Sequence, residues 1–406
     1  MRRSALVLIF WAWAAGLPVP PPAAADIDVG DIAVIETDPT ILQPGELFDL
    51  NGRTVTFTPG PGGGYIVSAS ALSFDPSLGT PLGLGDDSSV QVTPAFAFPF
   101  FGTSWPSVFI NSNGNITFGG GSLSFHFNDV FGGNVLSLGD GSTVLDRFSG
   151  DLPRIAVLWE DWDPSQGGTV FANSLPDRLI VTWSGVPLFF VGTTATFQVV
   201  LFNNGVIQMN YQSVTTTPGG GYLVGISPGL LFPFVVTTVD FSQQFLSSLS
   251  ALPNLEPLAQ VFGSTASPLV HISAVARRFY RTHGDDFDQM AMFANFPHAM
   301  GTAFAFELTT RQTVTGIGLA LSTPISSFFG SPGQLQSFLN MNRLGLYPAD
   351  PATDILGTNS TLDIMGQESG HQWLAFVRFD DGGVDSDLLL GRALAHWSFF
   401  HDSDAS

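Results

Sequence analysis

Residues 196–212 read TFQVVLFNNGVIQMNYQ, and this stretch decides the class of the fold. Two runs rich in Val, Ile, Leu, Phe and Tyr flank Asn203-Asn204-Gly205. Asn-Gly is the strongest short hairpin signal, because both residues tolerate the positive φ that a two-residue turn demands. The same grammar extends outward. RTVTFTP (53–59) alternates before the turn-former GPGGG, and YIVSASALSF resumes at Tyr65. A second Asn-Gly, Asn113-Gly114, lies within VFINSNGNITFGG. Such runs, broken at intervals by Gly, Pro, Asn and Asp, predict a mainly β domain over residues 26–238, an antiparallel sandwich or a curled sheet.

Five blocks of this region then fall in a telling order. They are FPFFGTSWPSVFINSNGNITFGG (98–120), RIAVLWEDWDPSQGGTVF (154–171), RLIVTWSGVP (178–187), TFQVVLFNNGVIQMNY (196–211) and VGIS (224–227). Together, over residues 95–230, they resemble the nidogen-like (NIDO) extracellular domain. That resemblance implies a secreted matrix or adhesion protein with an extracellular protein or glycan as partner. It implies no catalytic residues.

From the residues alone, the blocks speak mostly of packing. Trp105, Trp159, Trp162 and Trp183 read as core or turn-packing aromatics, given the area each can bury. Glu160, Asp161 and Asp163 crowd three carboxylates into four positions before Gly167-Gly168. A hard cation such as Ca²⁺ takes six to eight oxygens, so Asp161 and Asp163 are candidate calcium ligands. Acidic residues also suit turns that hold no metal.

Beyond residue 238 the pattern shifts. Residues 239–270, rich in Ser, Leu, Gln and Pro, read as a linker. The remainder, 271–406, reads as α+β: HISAVARRF opens a helix, QMAMFANF a buried strand, and both GQLQSFLNMNRLGL (333–346) and LDIMGQESGHQWLAFVRF (362–379) carry helical spacing of apolar residues. The last of these holds Q-E-S-G-H at 367–371, one residue away from the zinc motif H-E-x-x-H. About residues 360–380 resemble zincin-like metallopeptidases. That resemblance implies a zincin-like second domain with Glu368 as general base and His371 and His396 as zinc ligands. Gln367 departs from the pattern, because a neutral amide is a weak donor to zinc, which prefers imidazole, thiolate or carboxylate. The module therefore reads as an impaired metal site. A working secreted zinc peptidase is the alternative. His126, His271 and His298 read as satisfied polar groups. His283, with Asp285, Asp286 and Asp288, reads as the turn between a helix and a strand, with a cation loop as the alternative.

Composition narrows the partners. The 406 residues carry a net charge of −21, with thirteen arginines and no lysine. That surface disfavours nucleic acid and anionic membranes. Arg2-Arg3, the apolar run from Ala5 to Leu17 and Ala23-Ala24-Ala25 follow the order of a secretory signal at residues 1–25, pointing to an extracellular or periplasmic protein. The chain has no cysteine, which excludes disulfides and thiolate-bound zinc. Asn115 and Asn359 open glycosylation sequons. The chain stops at HDSDAS directly after the strand-like WSFF, an ending that predicts a continuation past Ser406.

Overall fold

A computed structural model describes residues 4–10, 26–38, 40–43, 45–124, 144–189, 192–215, 221–231, 236–243, 257–262, 267–300, 303–312, 324–372, 379–386 and 388. It is mainly β, with several antiparallel sheets. Two compact units emerge, and neither is a single run of chain. One comprises Gly45–Asn128 with Val144–Ala266; the other joins the N-terminal residues to Ser267–Ser406.

The first unit is a sandwich of two seven-stranded sheets. In one sheet the strands run Tyr65–Ala71, Arg53–Pro59, Ile207–Val214, Thr194–Phe202, Arg178–Pro187, Thr169–Ser174 and Thr80–Pro81. The Asn-Gly hairpin lies at its centre, with Leu201 opposite Ile207 and Gly205 at φ 86°. The other sheet runs Thr237–Thr238, Leu258–Phe262, Tyr222–Ser227, Arg154–Trp159, Asn115–Thr117, Val108–Asn111 and Ser89–Val92. Alternate residues of both sheets meet in one core. Val55, Phe57, Val181, Trp183, Phe197 and Val199 face Ile110, Ile116, Ile155, Val157, Val224 and Ile226. Tyr211 crosses between the sheets and donates to the Val157 carbonyl at 2.7 Å.

The strand Leu258–Phe262 corrects the linker expected at 239–270. All five of its residues are buried, and it pairs antiparallel with Tyr222–Ser227. Its LAQVF run is only five residues long and sits between Pro257 and Gly263 inside a Ser- and Pro-rich stretch, so composition over the longer window hides it.

The second unit is a six-stranded sheet in the order Ile27–Val29, Ile32–Glu36, Ser4–Phe10, Gln289–Ala294, Ser337–Arg343 and Phe306–Thr309. The inner four strands are parallel and both edge strands antiparallel. Met290 and Met292 pack in one cluster with Val275 and Phe279 of the helix Ile272–Phe279. Ala291 and Phe293 pack in another with Ile364 of the helix Thr361–His371. Odd and even residues of a strand point to opposite faces, so each face carries one helix. The Ser360–Asp363 capping box starts the second helix.

The zincin-like domain expected at 271–406 is not supported. Three of the sheet's six strands come from before residue 44, which no local pattern could reveal. The helix expected at 333–346 is instead the buried strand Ser337–Arg343. Short apolar runs do not distinguish a buried strand from a buried helix by periodicity.

Trp183 is fully buried, stacks on Phe197 at 5.0 Å between centroids and donates to the carbonyls of Asn111 and Ser112. Trp183→Ala is expected to cost about 3–5 kcal/mol, measured by denaturant unfolding. Leu123→Ala, at a side chain 60% exposed, is expected to stay within about 0.5 kcal/mol.

Candidate functional site

The acidic turn at 160–163 is held from both ends. The strand Arg154–Trp159 loses register with its partner between Ala156 and Trp159, which frees the chain to leave the sheet. Trp159 lies against the Arg154 guanidinium, 4.0 Å from ring centroid to Cζ, and donates to the Ser124 carbonyl. Trp162 turns into the core, stacks parallel on Tyr222 and donates to the Leu158 carbonyl at 2.7 Å. Both indoles are fully buried. The residues between them follow: Glu160 is 3% and Asp161 7% exposed.

A second loop meets this turn. The Asn113 amide donates to Asp87 at 2.7 Å, and its oxygen accepts the Trp162 backbone N–H at 3.0 Å. Gly114 makes the approach possible: its φ is +70°, and a Cβ there would overlap the Leu158 carbonyl. Asp86, Asp87 and Asp161 thereby each bring one carboxylate oxygen within 4.8 Å of the others. Burial first, then the charges of Asp87, Glu160, Asp86 and Asp163, push Asp161 up to about 8. Burial and the neighbouring charges of Asp163 and Asp87 also raise Asp86.

Asp163 has another task. Its Oδ1 accepts from the Ser165 backbone at 2.8 Å and from the Ser165 hydroxyl, capping the short helix Pro164–Gln166. The groupmates of Asp161 are Asp86 and Asp87, which sequence reasoning missed. They lie far earlier in the chain, in GLGDDSSV, where nothing local ties them to residues 160–163.

Beside the acidic turn lies an open groove of about 490 Å³, lined among others by Asp163, Gln166, Pro187, Leu188, Phe189 and Thr194. Its wall is strapped to the turn, with Phe189 N–H on the Asp161 carbonyl at 2.9 Å and Asp163 N–H on the Pro187 carbonyl at 2.9 Å. An apolar wall with a few fixed polar groups is the ordinary make-up of a ligand site.

Residues 64–254 match a family model described as NIDO related. The match supports a nidogen-related domain over this segment. No curated protein and no solved structure gives a significant match. The matched segment contains the sandwich's central hairpin, the buried indoles of Trp159, Trp162 and Trp183, and both acidic loops.

The other candidate residues lie in the second unit. On the helix Thr361–His371, Gln367 and His371 share a face with their Nε2 atoms 3.3 Å apart. Glu368 lies round the helix on its buried side, against Glu307 of the strand Phe306–Thr309. It is 7% exposed, and burial pushes it up to about 7 although it accepts the Glu307 backbone N–H. The base and the imidazole of the expected motif therefore face different surroundings. His396 and His126 lie outside the described residues, and among those described no three-ligand group includes His371.

The remaining polar groups have structural partners. His298 meets Asn340 at 3.2 Å and His271 meets Gln43 at 3.3 Å. His283 stacks on Phe279 at 3.9 Å between ring centres. Asp285 accepts the backbone N–H groups of Gly333 and Gln334, and Asp288 accepts the amides of Gln334 and Gln336. Asn115 is fully buried, its oxygen bonded to Asn111 and Arg154; the folded domain offers a glycosyltransferase no access there. Asn359 is exposed.

Between the ordinary carboxylate range and about pH 8, folded Asp161 holds a proton that the unfolded chain has lost. Its contribution to stability therefore falls as pH rises across that window. Without divalent cations, thermal unfolding followed from pH 5 to pH 8 is expected to show a declining midpoint, with a shallower decline in Asp161→Asn.

Proposed function

We propose that this chain is an extracellular binding or adhesion protein, exported through its N-terminal leader, whose nidogen-related domain recognises a protein or glycan at the groove beside the acidic turn. We propose further that Asp86, Asp87 and Asp161 hold a divalent cation, calcium by the chemistry of the donors. The observation that carries this reading is the meeting of three carboxylates from two separate loops. Oxygens bound to one Ca²⁺ at 2.3–2.6 Å lie no more than about 5 Å apart, and the observed spacing meets that limit.

The energetics favour the same reading. Ionising the buried Asp161 beside the exposed Asp86 and half-buried Asp87 is costly, and a bound cation reverses that penalty. The cation would stabilise the folded state by linkage, because the unfolded chain does not bring the two loops together. It would also lock the acidic turn to the strap at 187–189 that forms the groove wall. Partner binding is then coupled to cation binding through a shared wall.

Calcium added to the purified full chain is expected to raise its unfolding midpoint and to bind in isothermal titration. Asp87→Asn and Asp161→Asn should each abolish both effects. Against a panel of matrix proteins and glycans, binding should require calcium and be lost in Phe189→Ala, whose unfolding midpoint should stay near that of the unaltered chain. A chain indifferent to calcium in both assays would overturn the cation site. Absence of binding across the panel, with or without calcium, would count against the groove.

A further inference from the structure

The strand Ser4–Phe10 occupies an unusual place. Its sequence, SALVLIF, is part of the apolar run that reads as the core of a secretory leader. In the fold it is an interior strand of the second unit's sheet. Residues 4–9 pair in parallel with Gln289–Ala294 on one side, from Ser4 opposite Gln289 to Ile9 opposite Ala294. Residues 6–10 pair in parallel with Ile32–Glu36 on the other, from Leu6 opposite Ile32 to Phe10 opposite Glu36. A continuous apolar run is what an interior parallel strand requires.

Neither neighbour depends on this strand for its own anchorage. Gln289–Ala294 pairs on its far side with Ser337–Arg343. Ile32–Glu36 pairs on its far side with Ile27–Val29, and Ala33 and Ile35 pack in the cluster around the helix Ile272–Phe279. Arg278 of that helix clamps both flanks of the Ile27–Glu36 hairpin, bonding Asp26 at 2.8 Å and Asp38 at 2.7 Å. Adjacent strands sit 4.7–4.9 Å apart, so with the middle strand gone the two flanking edges would face each other across about 9–10 Å. That gap is too wide for direct pairing. Each edge would present a row of unsatisfied N–H and C=O groups, a template for an added strand.

From this we infer that the space between Ile32–Glu36 and Gln289–Ala294 is a strand-acceptor slot for a parallel apolar segment, filled in the intact chain by residues 4–10. The same residues have two exclusive uses. Cleavage after Ala25 removes the strand and opens the slot; retention of the leader closes it. A processed chain would then bind an extended apolar segment of the same pattern in trans.

Two measurements on the full chain test this. Hydrogen exchange followed by mass spectrometry on the unaltered protein should show amides of residues 4–10 protected to the same degree as those of Gln289–Ala294. Exchange of residues 4–10 at the rate of unstructured chain would overturn the inference, whatever any variant does. In the Leu6→Pro, Leu8→Pro double variant, the missing N–H groups break the central ladder. That variant should unfold at lower temperature in the second unit and should bind a labelled peptide carrying residues 4–10 with flanking arginines. The unaltered chain, its slot occupied, should not bind it. A double variant with an unchanged midpoint and no peptide binding would also overturn the inference.

Discussion

Everything at the candidate site depends on the burial of Trp159 and Trp162 on either side of two carboxylates. An indole seeks apolar cover and a partner for its N–H, and both find them here, one under Arg154 and the other against Tyr222. With three residue steps between the anchors, Glu160 and Asp161 cannot swing out to water. Their carboxyl groups are therefore held in place by packing elsewhere in the sandwich, and desolvation keeps the proton on Asp161 up to about pH 8. Asp86 and Asp87 then complete the group from a loop positioned by the Asn113 side chain. The site is a consequence of the core, and its electrostatics are those of carboxylates that cannot relax.

The helix Thr361–His371 shows the opposite arrangement. Its Gln367–His371 pair lies on the outer face, while Glu368 lies on the buried side beside Glu307, itself pushed up to about 8 chiefly by burial. A hydrolytic zinc centre needs three good protein ligands and a base that reaches the bound water. On this helix the sequence pattern survives more fully than its geometry. The sandwich, in contrast, joins a family match to a group of converging side chains.

Much of the sandwich was legible because its signals are local. Asn204-Gly205 and Asn113-Gly114 mark turns whose φ values only a glycine tolerates well, and the alternation around them sets which side chains enter the core. Trp159, Trp162 and Trp183 were legible as core for the area they carry. What escaped was non-local. Ser337–Arg343 has no periodicity to separate it from a helix, and its identity as a strand comes from the neighbours on either side. Leu258–Phe262 resembles its linker surroundings until Tyr222–Ser227 is set beside it. Asp163 stands beside Asp161 in sequence and its Oδ1 caps a short helix, while Asp86 and Asp87 are brought to Asp161 by a distant loop.

The central claim is that packing holds Asp161 in a crowded, poorly solvated carboxylate group that a cation would relieve. Carboxyl ¹³C NMR of the full chain reads that state directly, by following the Asp161 resonance through a pH titration with and without calcium. The account predicts a midpoint near 8 in the absence of calcium and a large downward displacement when calcium is present. A midpoint in the ordinary aspartate range, unmoved by calcium, would contradict it.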